Sequence, residues 1–476
     1  MNKDIKNLSV LEKNKRNCYK IFILLQIFLF AIVPLSLPMV AVYIVVAINF
    51  IYFINNFAKI FLFFYGGFKY KYCDYFKSIN FKISVEDLPI YSILLPARKE
   101  KEIVLKNLLQ SIHNFDYPIE KIDIKLIIDA DDFGTIKIAK SLKNDYNFEL
   151  IEVPDGVIKS KPMSLNYALK FIKGEFLTIY DAEDRPEKYQ LRKAVEKFSE
   201  LSEDYICLQA PLNYYNKYSN FISYCFSIEY SMWFDFTLRA LSKLKTFFPL
   251  GGTSNHFRAN KLLEIGGWDG YNVTEDAELG VRISKAGYKM SFLESITEEE
   301  CPTQIFAWYK QRTRWIKGFM QTFCEHIASN DLNAVETNVK FKSIFKIGLL
   351  NIFIFFIFII MSFFFFTSLA TIMFSYIILK FYDINFSSGH IVYLNLITSL
   401  IMTYISFIIV IIKNKMKFNF LYFIFFPFYW IMHYFAAFGA LKSLIISPFF
   451  WAKTDHGVDK NYLFNISNTC CYEKNK

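Results

Sequence analysis

Four long uncharged apolar runs frame the chain: Ile21 to Ala58, Ile347 to Leu379, Ile391 to Ile412 and Phe418 to Leu441. Each reaches the ~20 residues a helix needs to cross a hydrocarbon core, so the pattern predicts membrane helices at both ends. Ile21 to Ala58 is too long for one untilted span, and the break at Pro34-Leu35-Ser36-Leu37-Pro38 divides it into helices near 19–36 and 39–60. Ile347 to Leu379 would be about 50 Å long as a single helix, so part of it is expected at the interface. The stretch from Phe418 to Ile446 is interrupted by Pro427 and His433 and is read as spanning or else as re-entrant or interfacial.

Between about 67 and 342 the pattern changes to short apolar runs alternating with amphipathic stretches, which predicts a soluble α/β domain with a mostly parallel sheet. Tyr91 to Leu95 is a buried strand, and the spacing of Ile103, Leu105, Leu108, Leu109 and Ile112 makes Glu102 to Phe115 its following helix. Further strands are expected at Ile124–Ile128, Phe148–Val153, Phe176–Tyr180 and Tyr205–Leu212, with helices near 135–144, 163–172 and 187–201 between them. The chain therefore divides into membrane helices (1–66), the α/β domain with interfacial helices (67–342), a second helical membrane section (343–447) and a tail (448–476).

Composition agrees with a membrane protein: 54% of the 476 residues are apolar and 19% aromatic. Lys3, Lys6, Lys13, Lys15, Arg16 and Lys20 precede the first run and hold that end in the cytoplasm, which also argues against a cleaved signal peptide. The net charge of +10 is assigned to such flanking loops, Lys413-Asn414-Lys415-Met416-Lys417 among them, and not to nucleic acid. Eight cysteines without a C-x-x-C pair point to neither a zinc site nor a disulfide framework. There is no Gly-x-Gly-x-x-Gly and no P-loop.

In open parallel sheets ligands bind beyond the carboxyl ends of the strands, and charge gathers there: Arg98-Lys99-Glu100, Asp129-Ala130-Asp131-Asp132 and Asp181-Ala182-Glu183-Asp184. Mg²⁺ and Mn²⁺ take oxygen ligands, so Asp181 and Glu183 supply the carboxylates that, with diphosphate, would complete a shell; a solvated turn explains the same residues. Thr274-Glu275-Asp276 opens an amphipathic helix, where the acids complement the dipole or Asp276 serves as a general base. On a helix Gln311, Arg314 and Trp315 adjoin; Arg312 or Arg314 would bind a diphosphate and Trp315 a sugar, unless the helix is merely interfacial. Lys161 fits a helix start aimed at phosphate, Gly251 to Ser254 allows close backbone approach, and His256 is read as a polar loop residue.

Together these segments resemble the membrane-embedded family 2 glycosyltransferases, the inverting group of cellulose, chitin and hyaluronan synthases and related bacterial β-glycan synthases. Their pattern is Asp, Asp-x-Asp, Thr-Glu-Asp and Gln-x-x-Arg-Trp on a GT-A domain between membrane helices, and the likeness spans roughly residues 90 to 320. It implies a UDP-sugar donor, Mg²⁺ or Mn²⁺, and a glycan or lipid-linked acceptor, with processive export the expected outcome. The resemblance would put the nucleoside against Arg98, Glu100 and an acid of Asp131-Asp132, and Lys161 near the diphosphate. It would put the metal on Asp181 and Glu183, the base at Asp276 beside Glu275, and diphosphate and acceptor on Gln311, Arg314 and Trp315. Glu183 stands where these synthases usually have Asp. Phe449 to Gly457 is similar in flavour to the cytoplasmic gating loop of the cellulose synthases. A transporter or scaffold would place charge within its spans, and the four runs carry none beyond His433.

Overall fold

In the computed structural model, residues 15–17, 19–21, 23, 24, 38–67, 69, 71–154, 159–328, 342, 344–360, 377, 380, 381 and 389–450 are described. The strands are β1 (Tyr91–Ala97), β2 (Ile122–Asp129), β3 (Glu149–Val153), β4 (Phe176–Ile179), β5 (Arg185–Pro186), β6 (Tyr205–Gln209), β7 (Leu212–Tyr214), β8 (Asn255–Arg258), β9 (Lys289–Phe292) and β10 (Thr297–Glu299). Seven form one sheet in the order β3-β2-β1-β4-β8-β6-β9, and β5, β10 and β7 form a second, small one. Strands β1, β2, β3 and β4 run parallel, as do β6 and β9, while β8 lies antiparallel between β4 and β6.

The continuous apolar run of β1 follows from burial on both faces of the sheet. Side chains alternate across it: Ile93 and Leu95 join the layer containing Val104, Leu105 and Leu108, and Leu94 joins the other with Ile127, Leu165 and Ile179. The chain moves outward from β1 to β2 and β3, then returns to β4 on the other side of β1, so strand order reverses between β1 and β4. Such a switch point opens a crevice at the carboxyl ends. Here those ends lead into Arg98, Asp129 and Asp181.

Two expectations are corrected within this sheet. The single strand expected at Tyr205–Leu212 is two, because the chain turns at Ala210-Pro211 and β7 leaves for the small sheet. His256 is not in a loop: it lies on β8, fully buried, with Nδ1 2.6 Å from the Tyr91 hydroxyl and Nε2 3.2 Å from Gln190 Oε1. Burial lowers its pKa to about 3, so it is a neutral core residue.

Outside the sheet, the helix Phe221–Ser231 continues through a π-helical turn, Met232–Leu238, into Arg239–Lys243. The helix Ile305–Ala328 packs along Phe420–Ile446. The latter is continuous through Pro427 and not interrupted; a turn before the proline, the Tyr404 hydroxyl from Gly389–Lys413 donates to the Ile424 carbonyl at 3.3 Å. The layer that holds Leu94 and Ile179 runs on through Trp268 and Trp308 to Phe426 and Leu444, so domain and apolar helices share one core.

Of the two N-terminal helices expected, the second is Pro38–Gly67, longer than read, and most of the first lies outside the described residues. Residues 361–376 of the Ile347 to Leu379 run, and the gating-like segment beyond Phe450, also lie outside them. Among the described residues two helices, Val42–Gly67 and Phe420–Ile446, are long and apolar enough to cross a membrane; Leu349–Phe358 and Ile397–Lys413 are shorter. After the last helix the chain returns to the domain. Lys317 Nζ donates to the carbonyls of Ser447 at 3.1 Å and Phe450 at 2.9 Å, Gln321 Nε2 donates to Pro448 O at 3.2 Å, and Phe449 packs on Tyr271.

Gly318 on the helix Ile305–Ala328 has no room for a side chain, since a Cβ would overlap the Thr274 side chain. Gly318→Ala is expected to cost about 1–3 kcal/mol by overpacking and to lower the unfolding temperature. Gly134→Ala, whose Cβ would meet nothing closer than 3.8 Å, is expected to leave it unchanged or slightly raised; thermal unfolding of the purified full chain measures both.

Candidate active site

The helix Lys161–Ala168 begins with Pro162 in its first turn, where the missing N–H costs nothing. From that start Lys161 Nζ reaches Asp181 Oδ1 at 2.5 Å and the Gly252 carbonyl at 2.8 Å. A Cβ placed on Gly252 would stand 3.3 Å from Asp276 Oδ2 and 3.9 Å from Lys161 Nζ. Any larger residue would push into the site, which is the use of glycine here. The structure thus brings Asp181, Lys161, Gly252 and Asp276 to one point, although they come from four separate segments of the fold.

Burial sets the electrostatics. Desolvation and the neighbouring Asp276 push Glu275 up to about 7, against the pull of Lys161 and Arg314. Burial also raises Asp276, opposed by the Ala277 backbone N–H, Lys161 and Arg314. Burial works against the Lys161 ammonium, but Asp181 and Glu275 outweigh it and hold the group above the ordinary lysine range. Lys161, in contact with Asp181, and Arg314 thus offset part of the cost of burying Glu275 and Asp276.

At the end of β4, Glu183 is buried and raised by desolvation and by the charges of Asp181 and Glu100. Asp184 closes the turn: its Oδ2 accepts from the Asp181 N–H at 2.8 Å and from the Thr253 hydroxyl, while its Oδ1 is buried with no hydrogen-bond partner. Glu299, on β10, feels the same cluster and is raised by burial, Asp184 and Glu183. Crowded, desolvated oxygens beside an orphaned carboxylate oxygen fit a hard divalent cation. Among the described residues no three His, Cys, Asp or Glu side chains could hold an ion by themselves, so any such cation would draw further ligands from substrate or water.

The nucleotide-side candidates occupy the ends of β1 and β2. Arg98 Nη1 lies 3.6 Å from Asp129 Oδ2, and Asp129 Oδ1 accepts from the Ser164 hydroxyl at 3.1 Å. Asp131 is ion-paired with Lys159. Asp132 caps the helix Phe133–Leu142 through the Thr135 N–H at 3.2 Å and also accepts from the Lys99 N–H at 2.5 Å. The Glu100 N–H donates to the Thr135 hydroxyl at 3.2 Å, which ties the two strand ends together.

Gln311, Arg312, Arg314 and Trp315 all lie on the helix Ile305–Ala328, and the structure separates the two arginines. Arg312 pairs with Glu229 in a buried cluster that includes Tyr429, whose hydroxyl donates to Glu229 Oε2 at 2.5 Å. Burial would raise the Glu229 carboxyl, but Arg312 and its other partners hold it down at about 2. Arg314 instead donates to the Val273 carbonyl at 3.2 Å, next to Thr274-Glu275-Asp276. Trp315 stacks on Tyr230 with centroids 6.1 Å apart, and Gln311 Oε1 is buried without a hydrogen-bond partner. Asp129, Asp184, Glu229, Thr253 and Glu299 were not among the candidates. The first two sit inside charged segments already singled out, but a lone acid such as Glu229 carries no local signal, and Glu299 lies in the run Glu298-Glu299-Glu300, which reads as a solvated turn.

Residues 89–318 match the family described as glycosyltransferase like family 2. The probable glycosyltransferase YdaM of Bacillus subtilis (strain 168) is 27% identical over 265 residues, 53% of this chain and 60% of that protein. The chain thus spans about three fifths of that relative's length. Among solved structures, the mannosyltransferase PcManGT from Pyrobaculum calidifontis superposes with a TM-score of 0.53 at 16% identity, over 85% of this chain and 98% of the other. The domain is GT-A-like. Residues 89–318 are thus similar to the family 2 glycosyltransferase domains.

The two arginines should respond differently to loss of charge. Arg312→Met leaves Glu229 buried opposite no guanidinium and is expected to destabilise the protein by on the order of 3 kcal/mol. Arg314→Met is expected to keep the unfolding temperature within a few degrees and to lower turnover at least tenfold. Thermal unfolding read alongside an assay of nucleotide release separates these effects.

Proposed function

We propose that this protein is an inverting glycosyltransferase, embedded in the bacterial inner membrane, that moves a sugar from a UDP-sugar to a hydroxyl of a growing β-glycan. The observation that carries the reading is the meeting of Asp276, Lys161 and Asp181 around Gly252. Asp276 takes the acceptor proton as the acceptor oxygen bonds to C1 of the donor sugar. The bond from C1 to the diphosphate oxygen breaks, and its electron pair leaves with UDP. Attack on the face opposite the leaving group inverts the anomeric centre. A carboxyl whose proton affinity is raised by burial is better suited to this than an exposed one.

Lys161 and Arg314 are the cations that would face the charge developing on the departing diphosphate. Asp181 and Glu183 would hold Mg²⁺ or Mn²⁺, which when bound supplies further positive charge at the same oxygens. The solved PcManGT complex contains GDP-Man and Mn²⁺, which supports divalent metal use and makes GDP-mannose the donor to compare with UDP-sugars. Arg98, Glu100, Asp131 and Asp132 would bound the nucleoside, and Gln311 with Trp315 would receive the acceptor, Trp315 through ring stacking.

The membrane reading is supported by the outward faces of the two long apolar helices. Phe57 is 66% exposed and Phe435 63%, with Phe50, Phe61, Leu421 and Phe428 also exposed along the same helices. Rows of aromatic side chains are costly in water and favourable in hydrocarbon. Transfer to a lipid-linked acceptor by single addition is the second reading, favoured by the single core that joins the domain to these helices.

Asp276→Asn is expected to abolish transfer, by 10²-fold or more, while UDP affinity stays within about threefold. The assay is nucleotide release by the purified full chain across UDP-sugars and GDP-mannose with Mg²⁺ or Mn²⁺. Unchanged turnover in the variant would refute the base. Chain length in the product decides between a ladder of glycans and one added sugar.

A further inference from the structure

Lys15 precedes the first apolar run and reads as one of several topogenic charges, yet its side chain is buried. Its Nζ lies 2.6 Å from Asp269 Oδ2 and 3.0 Å from Glu325 Oε1. Burial works against this ammonium, and the two carboxylates more than reverse the effect. Four residues on, the Tyr19 hydroxyl donates to the same Glu325 oxygen at 2.9 Å.

The two acids belong to the elements that carry the active site. Asp269 begins the strap that runs into Thr274-Glu275-Asp276, and Glu325 lies on the helix of Arg314 and Trp315. Strap and helix are joined throughout by buried hydrogen bonds. Asn272 Nδ2 donates to Thr322 Oγ1 at 3.0 Å and Glu325 Oε2 at 3.2 Å, and the Val273 N–H donates to Gln321 Oε1 at 3.1 Å. Asn272 Oδ1 in turn accepts from the Thr274 N–H at 3.0 Å.

We propose that Lys15 is a positioning residue for glycosyl transfer: by neutralising Asp269 and Glu325 together, it clamps the 269–274 strap to the Trp315 helix and so fixes Asp276 relative to Arg314. Without its ammonium the strap and helix lose the cation that bridges them. Glu325, which burial, Asp269 and Glu278 push up to about 7 against the pull of Lys15, is then left facing Asp269, with Arg282 as the cation remaining near both. The inference rests on the assignment of Asp276 as base, and it gives the N-terminal segment a share in catalysis from outside the α/β domain.

The test uses Lys15→Met, Tyr19→Phe and the double variant Lys15→Met/Glu325→Gln in the purified full chain. Steady-state kinetics and amide hydrogen exchange of residues 269–276 are measured on each. Lys15→Met is expected to lower kcat at least tenfold, keep donor KM within threefold, and speed exchange across the strap. Removing the second charge in the double variant should return at least threefold of the lost kcat, a recovery that general destabilisation would not give. Should Lys15→Met fail to fold, Tyr19→Phe carries the test, with kcat reduced two- to fivefold and faster strap exchange. Wild-type kcat with wild-type exchange in whichever variant folds, or a loss confined to KM, overturns the proposal. A wild-type chain that transfers no sugar counts against the catalytic reading, and strap exchange then decides the clamp alone.

Discussion

A lysine at the carboxyl edge of the mostly parallel sheet holds this site together. Asp181, Glu275 and Asp276 would repel one another if they faced a common point in a desolvated cleft, and Lys161 is the cation placed among them. Its reach depends on the helix start at Ser160-Lys161-Pro162, on the switch of strand order that brings β4 beside β1, and on the bare backbone at Gly252. Each condition comes from a different segment of the chain. The carboxylates stay close to one another because the Lys161 ammonium contacts Asp181 and, together with Arg314, offsets the charge of Glu275 and Asp276.

The same logic recurs away from the cleft. Buried ion pairs tie the helix Ile305–Ala328 to other segments, Arg312 to Glu229 on Phe221–Ser231 and Glu325 to Lys15, which also holds Asp269 ahead of the helix Glu275–Ala286. Apolar packing alone would let those helices slide, whereas buried charge pairs fit in one register. Directional contacts thus set the placement of Arg314 and Asp276, and the shared apolar core supplies the attraction.

The strands and helices of the first half of the domain were legible because they bury continuous or periodic apolar runs: Tyr91 to Leu95 and the helix from Glu102 needed little more than pattern. Strand β8 was not legible, since Asn255-His256-Phe257-Arg258 offers one apolar residue and owes its place to neighbours distant in sequence. His256 was misread for that reason: its partners, Tyr91 and Gln190, are remote from it along the chain. The acidic and basic candidates were visible as clusters after strands. Which of Arg312 and Arg314 faces the cleft was not, because the two share one turn on roughly opposite faces and only the placing of Glu229 and Val273 tells the faces apart. Pro427 misled in the opposite sense: it removes the donor to one carbonyl, that of Phe423, and a helix in an apolar setting keeps its course through such a loss when its neighbours pack around it.

The docking of Ser447 to Phe450 onto Lys317, Gln321 and Tyr271 bears on topology. Lys15 and Tyr19 touch the domain from the other terminus, and Arg16 lies over the Phe449 ring at 5.7 Å. Chain entering and chain leaving thus stand on the same side as the sheet. On the membrane reading proposed above, crossings of a bilayer between Tyr19 and the start of the domain would then be even in number, and so would those between the Trp315 helix and Ser447. An odd tally on either flank would tear one of these contacts through the hydrocarbon.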